Sequence, residues 1–478
     1  MNINKEVFRE YDVRGVYPTD IDENLALVFG KAFGTYIKKL GKNICVVGHD
    51  NRYSSNSLYE NLIKGILSTG TDVVSLGLVT TPMYYYACIL KDIPSGVMVT
   101  ASHNPKDDNG FKFAFDERGN AKGEMIQEFL EFLLKGEFNT GTGSLSTFDV
   151  EDEYYDYLLS CVDIKGDKKL KVVVDAGNGT TSEFAKKLYG RVNIDLVPLF
   201  CDSDPAFPNH HPDPAVEENL TLLKQKVLEE KADCGIAFDG DGDRVGIIDE
   251  KGNYIAADKY MIIVCRYLLP ISDNKKVLYD VKCSKALTDE IIRLGGTPVI
   301  SRTGNSYTKA NTKDNGCVFG GEYSGHIYFR DKFLGFDSGM YAGLRLLEIM
   351  DKTGKSVSEL LEDIPVYIST PELKIASTDI KKKEVVEKIK EYAKSKNYNV
   401  IDVDGVRCEF DDGWSLVRYS NTGPNITARF EGKTEESMNR LKNEFETLIN
   451  EYNKWCKTGI KTCFLLKKSK MNYIINIE

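Results

Sequence analysis

No pair of cysteines in this chain has the Cys-x-x-Cys spacing of a zinc or thioredoxin-like site, and the 11 cysteines are odd in number and scattered. Cys45, Cys265 and Cys317 lie inside apolar runs. A disulfide framework is therefore excluded, and reduced, buried thiols are expected. No stretch approaches the roughly 18 apolar residues of a membrane span, and MNINKEVFRE has no apolar signal core. A soluble, cytoplasmic protein with no membrane partner is expected. A basic surplus is missing too: the formal net charge is −10. That argues against a nucleic-acid partner, while leaving room for a local Lys/Arg cluster that binds a small anion. Nucleotide fingerprints are lacking. Gly354-Lys355-Ser356 resembles the end of a P-loop, but the earlier glycine it requires is Ile349. No Gly-x-Gly-x-x-Gly follows a strand.

What is present is a chain of 478 residues, 42% of them hydrophobic, long enough for three or four domains with real cores. A strand–turn–helix theme recurs. Ile44 to Gly48 runs into His49-Asp50-Asn51-Arg52 and a helical pattern from about Ser55. Val172 to Asp175 precedes Gly177-Asn178-Gly179 and a helix expected from about Thr181; Val277 to Asp280 precedes Lys282-Cys283-Ser284 and a helix from about Lys285. Each is a short buried strand, a polar turn and an amphipathic helix. Asn24 to Leu40 and Glu124 to Lys135 carry apolar stripes at helical spacing. Thr140 to Phe148 (TGTGSLSTF) reads as a linker. Beyond about Pro371, two charged helices, Lys381 to Lys396 and Thr434 to Lys454, flank β-like segments at Val400 to Phe410 and Trp414 to Tyr419. The expected fold class is α/β: three related α/β domains with mixed sheets (1–150, 151–258, 259–368) and a smaller C-terminal α+β domain (369–458) around a central cleft. A basic, apolar tail (459–478) has no assigned role.

Four segments carry chemistry. In FDGDGDR, Asp239, Asp241 and Asp243 alternate with Gly240 and Gly242, so the backbone can curl and aim three carboxylates at one point. All-oxygen ligands select Mg²⁺, Mn²⁺ or Ca²⁺ over zinc. An EF-hand is disfavoured: Glu250 falls at its twelfth position, but its sixth position is Arg244 and the flanks read as strands. In TASHNP, which follows the apolar strand Gly96 to Val99, Ser102 is a candidate nucleophile; Thr100, His103 and Asn104 can donate to a phosphate. In GEYSGH, Glu322, Ser324 and His326 alternate, so an extended loop points them one way to grip vicinal hydroxyls. In RYSNTGPN, Arg418, Ser420, Asn421 and Thr422 offer a guanidinium fork, hydroxyls and an amide to a phosphate. Read singly, GEYSGH and RYSNTGPN fit ordinary polar turns about as well and TASHNP fits a structural Ser-Asn-Pro turn better; the acidic loop is the most specific, against the alternative of a solvated acidic turn with no metal.

Together and in this order, the four segments resemble the α-D-phosphohexomutase family's phosphoserine, metal, sugar and phosphate loops. FREYDVRG at Phe8 to Gly15, NGFK at Asn109 to Lys112, FPNHHPDP at Phe207 to Pro214 and VKCS at Val281 to Ser284 extend the resemblance over about residues 6 to 455. GEYSGH and RYSNTGP look like the phosphomannomutase/phosphoglucomutase branch rather than the glucosamine one. The resemblance implies a mutase that interconverts hexose 1- and 6-phosphates of mannose or glucose through a phosphorylated Ser102. Mg²⁺ would sit on Asp239, Asp241, Asp243 and a phosphoserine oxygen, with hexose 1,6-bisphosphate as intermediate and activator. It places Arg244 beside the substrate, Glu322 and Ser324 on sugar hydroxyls, Arg418, Ser420, Asn421 and Thr422 on the non-reacting phosphate, and Tyr11 and Lys282 on the ligand. Arg14, Lys112 and His326 become candidates for proton management, Lys112 as a base if neighbouring cations depress its pKa. The implied partners are small sugar phosphates, and a monomer is the default expectation. Asn305 stands where this branch often has His, and Gly423 where Thr is more usual. The alternatives are a phosphoglucosamine mutase, a non-catalytic sugar-phosphate-binding relative, and a metal phosphatase.

Overall fold

Each strand–turn–helix unit legible in the sequence becomes the middle of its own mixed sheet in a computed structural model, which describes residues 3–166, 168–420 and 423–454. The chain divides into two compact units, Met1–Val366 and Tyr367–Glu478, and the first holds these three sheets.

The three sheets share one plan. In the first, Ile44–His49 lies parallel to Asp72–Leu78 on one side and Gly96–Val99 on the other, and Gly96–Val99 pairs antiparallel with Asp108–Ala114. In the second, Lys171–Asp175 lies parallel to Asp195–Leu199 and Cys234–Phe238, and Cys234–Phe238 pairs antiparallel with Val245–Asp249. In the third, Lys276–Asp280 lies parallel to Thr297–Ser301 and Phe319–Gly321, and Phe319–Gly321 pairs antiparallel with Ile327–Phe329. TASHNP, FDGDGDR and GEYSGH therefore occupy one equivalent place, the connection from a parallel strand to its antiparallel partner. The turns after the three central strands, at Asp50 to Arg52, Gly177 to Gly179 and Lys282 to Ser284, are equivalent in the same way.

Strands such as Gly96–Val99 and Cys234–Phe238 are buried at every position, which is why they read as unbroken apolar runs. Asp22 caps Glu23–Lys39 by accepting from Leu25 N at 2.8 Å. The stripe of that helix packs Phe29 4.6 Å from Phe111 and 5.1 Å from Phe129, between ring centroids.

Two expectations change. The segment read as a linker contains a strand, Leu145–Thr147, paired parallel with Asp72–Leu78; all three of its residues are exposed, so no apolar signal marked it. The helix expected from Thr181 is a 3₁₀ turn, Thr180–Glu183, ahead of a short helix, Ala185–Tyr189. Thr180 N donates to Gly240 O at 2.9 Å and Thr180 Oγ1 accepts from Asn51 N at 3.2 Å, so tertiary bonds claim the turn's start.

The second unit is α+β, as expected. Its helices Asp379–Ser395 and Glu435–Tyr452 pack on an antiparallel sheet built from Asn399–Ile401, Val406–Phe410, Gly413–Tyr419 and Asn425–Gly432. Ile368–Ser369 and Leu373–Ala376 both add to Asn425–Gly432. The segment 400–410 is thus two paired strands rather than one. Residues 459–478 lie outside the described residues. Among the described residues the cysteines are free, with Cys45, Cys265 and Cys317 buried, and no helix is long and apolar enough to cross a membrane.

Candidate active site

The glycine-spaced aspartates converge as their spacing requires. Asp239, Asp241 and Asp243 are completely buried, and one oxygen from each lies within 4.8 Å of the others. Gly242 takes φ +81°, the left-handed turn that folds the loop back on itself. Asp239 Oδ1 accepts from Gly242 N and Arg244 N, both at 3.1 Å. Its other oxygen receives the Ser102 hydroxyl at 2.9 Å, bridging 137 residues of sequence. Ser102 sits in the left-handed region at φ +51°, unusual for a side-chain-bearing residue. Thr100 Oγ1 holds its N–H at 2.8 Å.

A buried lysine meets two of the three carboxylates. Lys112 Nζ bridges Asp241 Oδ2 at 2.8 Å and Asp243 Oδ2 at 2.6 Å. Thr81 Oγ1 donates to Asp241 Oδ2 at 2.6 Å. Burial and the neighbouring carboxylates push Asp239 well above the usual range. Burial pushes Asp243 up as well, but Lys112 and His326 outweigh it and hold this carboxyl well below. Lys112 corrects an expectation. Burial lowers it, yet Asp241 and Asp243 more than compensate and raise its pKa well above that of an ordinary lysine. The condition set for Lys112 as a base, a pKa depressed by neighbouring cations, is not met where Asp241 and Asp243 are its nearest charges.

GEYSGH also differs from the extended loop expected. Gly325, at φ +96°, turns the chain so that Gly325 N donates to Glu322 O at 3.0 Å. Glu322 and His326 consequently face each other, with His326 Nδ1 3.0 Å from Glu322 Oε2 and from Ser324 Oγ. His326 Nε2 stands 3.2 Å from Asp243 Oδ1 and 3.3 Å from Arg244 Nε. Desolvation disfavours its charge, but Asp243 and the bond to Glu322 prevail, so the imidazole is pushed up to about 10. Glu322 Oε1 accepts from Gly304 N at 2.6 Å and Thr308 Oγ1 at 2.8 Å, tying this loop to the helix Asn305–Asp314.

Ser102, Lys112, the three aspartates, Arg244, Glu322, Ser324 and His326 are thus joined by direct contacts. Arg14 stands beside them: its Nη1 donates to Asn104 Oδ1 at 2.8 Å and its Nη2 to Asp12 Oδ2 at 2.6 Å. The Tyr11 ring lies so close to Gly304 that a Cβ there would fall 3.3 Å from Tyr11 Cε1. Lys282 follows the strand Lys276–Asp280, and its charge acts on Asp280. In the second unit, Arg418 Nε donates to Asp404 Oδ2 at 3.1 Å. Lys382 Nζ donates to Ser420 O at 2.8 Å and Gly423 O at 3.0 Å, bracing that loop from the helix beneath it. Asn421 and Thr422 lie outside the described residues.

Some participants carried little sequence signal. Asp337, fully buried, accepts from Asn305 Nδ2, so Asn305 is engaged rather than idle. Asp280 accepts from Tyr323 N at 3.2 Å and Thr303 Oγ1 at 3.2 Å, fixing two loops at once. Its position at the carboxyl end of a central strand was the one available clue.

The carboxylate trio fits a hard divalent cation. Its donors are all oxygen, and Asp241 Oδ1 is buried with no hydrogen-bond partner among the described residues.

Comparison with known proteins agrees with this geometry. Four consecutive models match: phosphoglucomutase/phosphomannomutase alpha/beta/alpha domains I, II and III at residues 5–140, 152–252 and 256–367, and the C-terminal domain at 372–448. A phosphomannomutase/phosphoglucomutase of Pseudomonas putida is 40% identical over 445 residues, 93% of this chain and 95% of that protein. A phosphoglucomutase of Neisseria meningitidis serogroup A is 37% identical, over 94% of this chain and 97% of its own length. The crystal structure of a phosphoglucomutase/phosphomannomutase family protein from Burkholderia thailandensis superposes with a TM-score of 0.88 at 36% identity, covering 94% of this chain and 98% of that one. Matched along nearly its whole length, with a serine hydroxyl, a carboxylate trio and a turn carrying Glu322 and His326 brought into contact, the chain belongs to the phosphoglucomutase/phosphomannomutase family.

Proposed function

We propose that the chain interconverts hexose 1-phosphate and hexose 6-phosphate, accepting both glucose and mannose, through a phosphorylated Ser102. The observation that carries this reading is the 2.9 Å bond from Ser102 Oγ to Asp239, which sets a nucleophilic hydroxyl at the rim of a buried carboxylate trio.

Phosphoryl transfer passes through a loose transition state, so alignment and charge stabilisation do most of the work. A sugar hydroxyl attacks the phosphorus of phosphoserine; the new O–P bond forms, the P–Oγ bond breaks, and a hexose 1,6-bisphosphate results. The hydroxyl's proton ends on Ser102 Oγ. Arg14, Lys112 and His326 are the proposed relay. His326, whose pKa Asp243 and Glu322 push up to about 10, is placed within reach of Asp243 and Ser324 for the proton-donating role. Lys112 can receive a proton only after its ammonium has left Asp241 and Asp243 and shed one. The bisphosphate then turns end for end, and Ser102 takes back the other phosphate. Mg²⁺, the proposed occupant of Asp239, Asp241, Asp243 and a phosphoserine oxygen, would supply positive charge to the transferring group. Arg244 adds a second positive group beside Asp239, its Nε 3.8 Å from Oδ2.

Glu322 and Ser324 read the 3- and 4-hydroxyls, which glucose and mannose share, so the site has no reason to separate the two sugars. Tyr11 and Lys282 complete the ligand contacts, and Arg418, Ser420, Asn421 and Thr422 take the non-reacting phosphate. Glucose 1,6-bisphosphate, able to phosphorylate Ser102, is the expected activator. The test is turnover of glucose 1-phosphate and mannose 1-phosphate with Mg²⁺ and a trace of that bisphosphate. Comparable rates support the reading. Turnover of neither, with activity on glucosamine 1-phosphate, overturns it, and net phosphate release without isomerisation points to a phosphatase.

The distal phosphate gives a separate prediction. Arg418→Ala removes a charged contact worth about 1.5–3 kcal/mol. KM for both sugar phosphates should rise roughly ten- to hundredfold. Unchanged Michaelis constants would show that the phosphate binds elsewhere.

A further inference from the structure

The loop that presents Ser102 is held by a residue that none of the four motifs contains. Arg52 ends the turn after the central strand Ile44–His49 and is almost wholly buried. Its guanidinium has five N–H groups, and five acceptors meet it. Nε donates to Asp50 Oδ2 at 3.1 Å. Nη1 donates to Pro105 O at 2.5 Å and Asp108 O at 3.1 Å. Nη2 donates to Ser102 O at 2.6 Å and Asn104 O at 2.7 Å. One side chain thereby gathers four carbonyls of the 102–108 loop onto a single point.

That point is anchored. Asp50, at the end of the same strand, accepts from Arg52 N at 3.0 Å and from Ser55 Oγ at the start of the next helix. The Phe207 ring closes over the guanidinium, 5.5 Å from its centroid. The arrangement matters most at Ser102, whose left-handed conformation is costly for a side-chain-bearing residue and persists only where its surroundings impose it. Thr100 Oγ1 holds the N–H of this residue and Arg52 holds its carbonyl, so both of its peptide planes are fixed. The Oγ is then left pointing at Asp239.

We propose that Arg52 is a positioning residue for phosphoryl transfer. Its N–H groups are taken up by Asp50 and the loop carbonyls, and it holds the Ser102 peptide in the conformation that aims Oγ into the carboxylate trio. The inference rests on Ser102 being the phosphoryl carrier. Lysine cannot substitute: it has three donors and no planar fork.

The experiment is single-turnover transfer from phosphoenzyme to glucose 6-phosphate, alongside steady-state kcat and KM, in wild type, Arg52→Lys, Arg52→Met and Arg52→Ala. Intact mass measures phosphoserine occupancy and circular dichroism the folded fraction. Displacing the nucleophile by about an ångström costs about a hundredfold, so the Met variant should lose about that much in kcat and single-turnover rate. KM should stay within about twofold, because the sugar and distal-phosphate contacts are untouched. Methylguanidinium should restore part of the rate to Arg52→Ala, and by the same mechanism cannot restore Arg52→Met, whose side chain fills the space. Should the Met and Ala variants fail to fold, Arg52→Lys, which keeps the charge pair with Asp50, decides: a kcat loss of tenfold or more at wild-type KM supports the proposal. A folded variant within threefold of wild-type kcat overturns it, as does a loss that merely tracks the unfolded fraction. If wild-type phosphoenzyme itself does not transfer, the phosphoserine reading fails and the inference with it; if wild type transfers and the variants match it, only the positioning role fails.

Discussion

Ser102→Ala should reduce mutase turnover by more than about four orders of magnitude, over about 5 kcal/mol in the barrier, while leaving hexose-phosphate affinity within a few-fold of wild type. On the proposed mechanism turnover passes through a covalent intermediate on Ser102, so a variant without the hydroxyl can neither donate a phosphoryl group nor receive one back. Added glucose 1,6-bisphosphate cannot rescue it, since there is no acceptor to phosphorylate. Binding is spared because the contacts proposed for the sugar and the distal phosphate come from other loops. The change is sterically small: it deletes one oxygen whose hydrogen bond goes to Asp239. A coupled assay for glucose 6-phosphate, calorimetric titration with the substrate, and intact mass settle the matter together. Wild type should carry the mass of one added phosphoryl group and the variant none. Near-wild-type turnover in the variant would move the carrier to another residue and remove the role assigned to the loop.

Much of this site was legible because its chemistry sits at strand ends. Cys234–Phe238 and Val245–Asp249 are buried throughout, so FDGDGDR stood out between two apolar runs. The same holds for TASHNP after Gly96–Val99. Less legible was anything decided by contacts across long stretches of sequence. Asp337 and Arg52 are ordinary polar residues in the sequence, and their partners lie 32 and about 50 residues away. The turn in GEYSGH depends on one left-handed glycine; alternation of side chains alone cannot distinguish it from an extended loop. Lys112 shows a further limit. A base role for it depended on neighbouring cations depressing its pKa, but two of the carboxylates sit directly on its ammonium and raise it. The common plan of the three sheets was also only hinted at by the repeated strand–turn–helix pattern, because register and pairing order leave little trace in short apolar runs.

Gly240→Ala is the second large expected effect, and it probes how closely the aspartate loop and the Ser102 loop must approach. A Cβ at position 240 would fall 2.5 Å from Ser102 O, well inside van der Waals contact with main chain. Neither side can yield easily. Ser102 O is already held by Arg52 Nη2, and Gly240 O accepts from Thr180 N at 2.9 Å. The added methyl must therefore drive the two loops apart, opening the distance between Ser102 Oγ and Asp239. Overpacking of this kind costs typically 1–3 kcal/mol, so the variant should fold with a lowered melting temperature. Misplacing reacting groups by about an ångström costs about a hundredfold in rate, so kcat should fall by that order while KM for glucose 1-phosphate changes little. Thermal melts and steady-state kinetics on the same preparation separate the two effects. Had the glycine served only to let the aspartate loop curl, its ordinary backbone conformation would accept alanine and kcat would stay within threefold of wild type; that result would show the loops sliding past one another and the 2.9 Å bond not limiting the rate. A selective loss of kcat would instead tie the spacing of Asp239, Gly240 and Asp241 to the placement of the nucleophile, making the glycine a requirement of catalysis as well as of the fold.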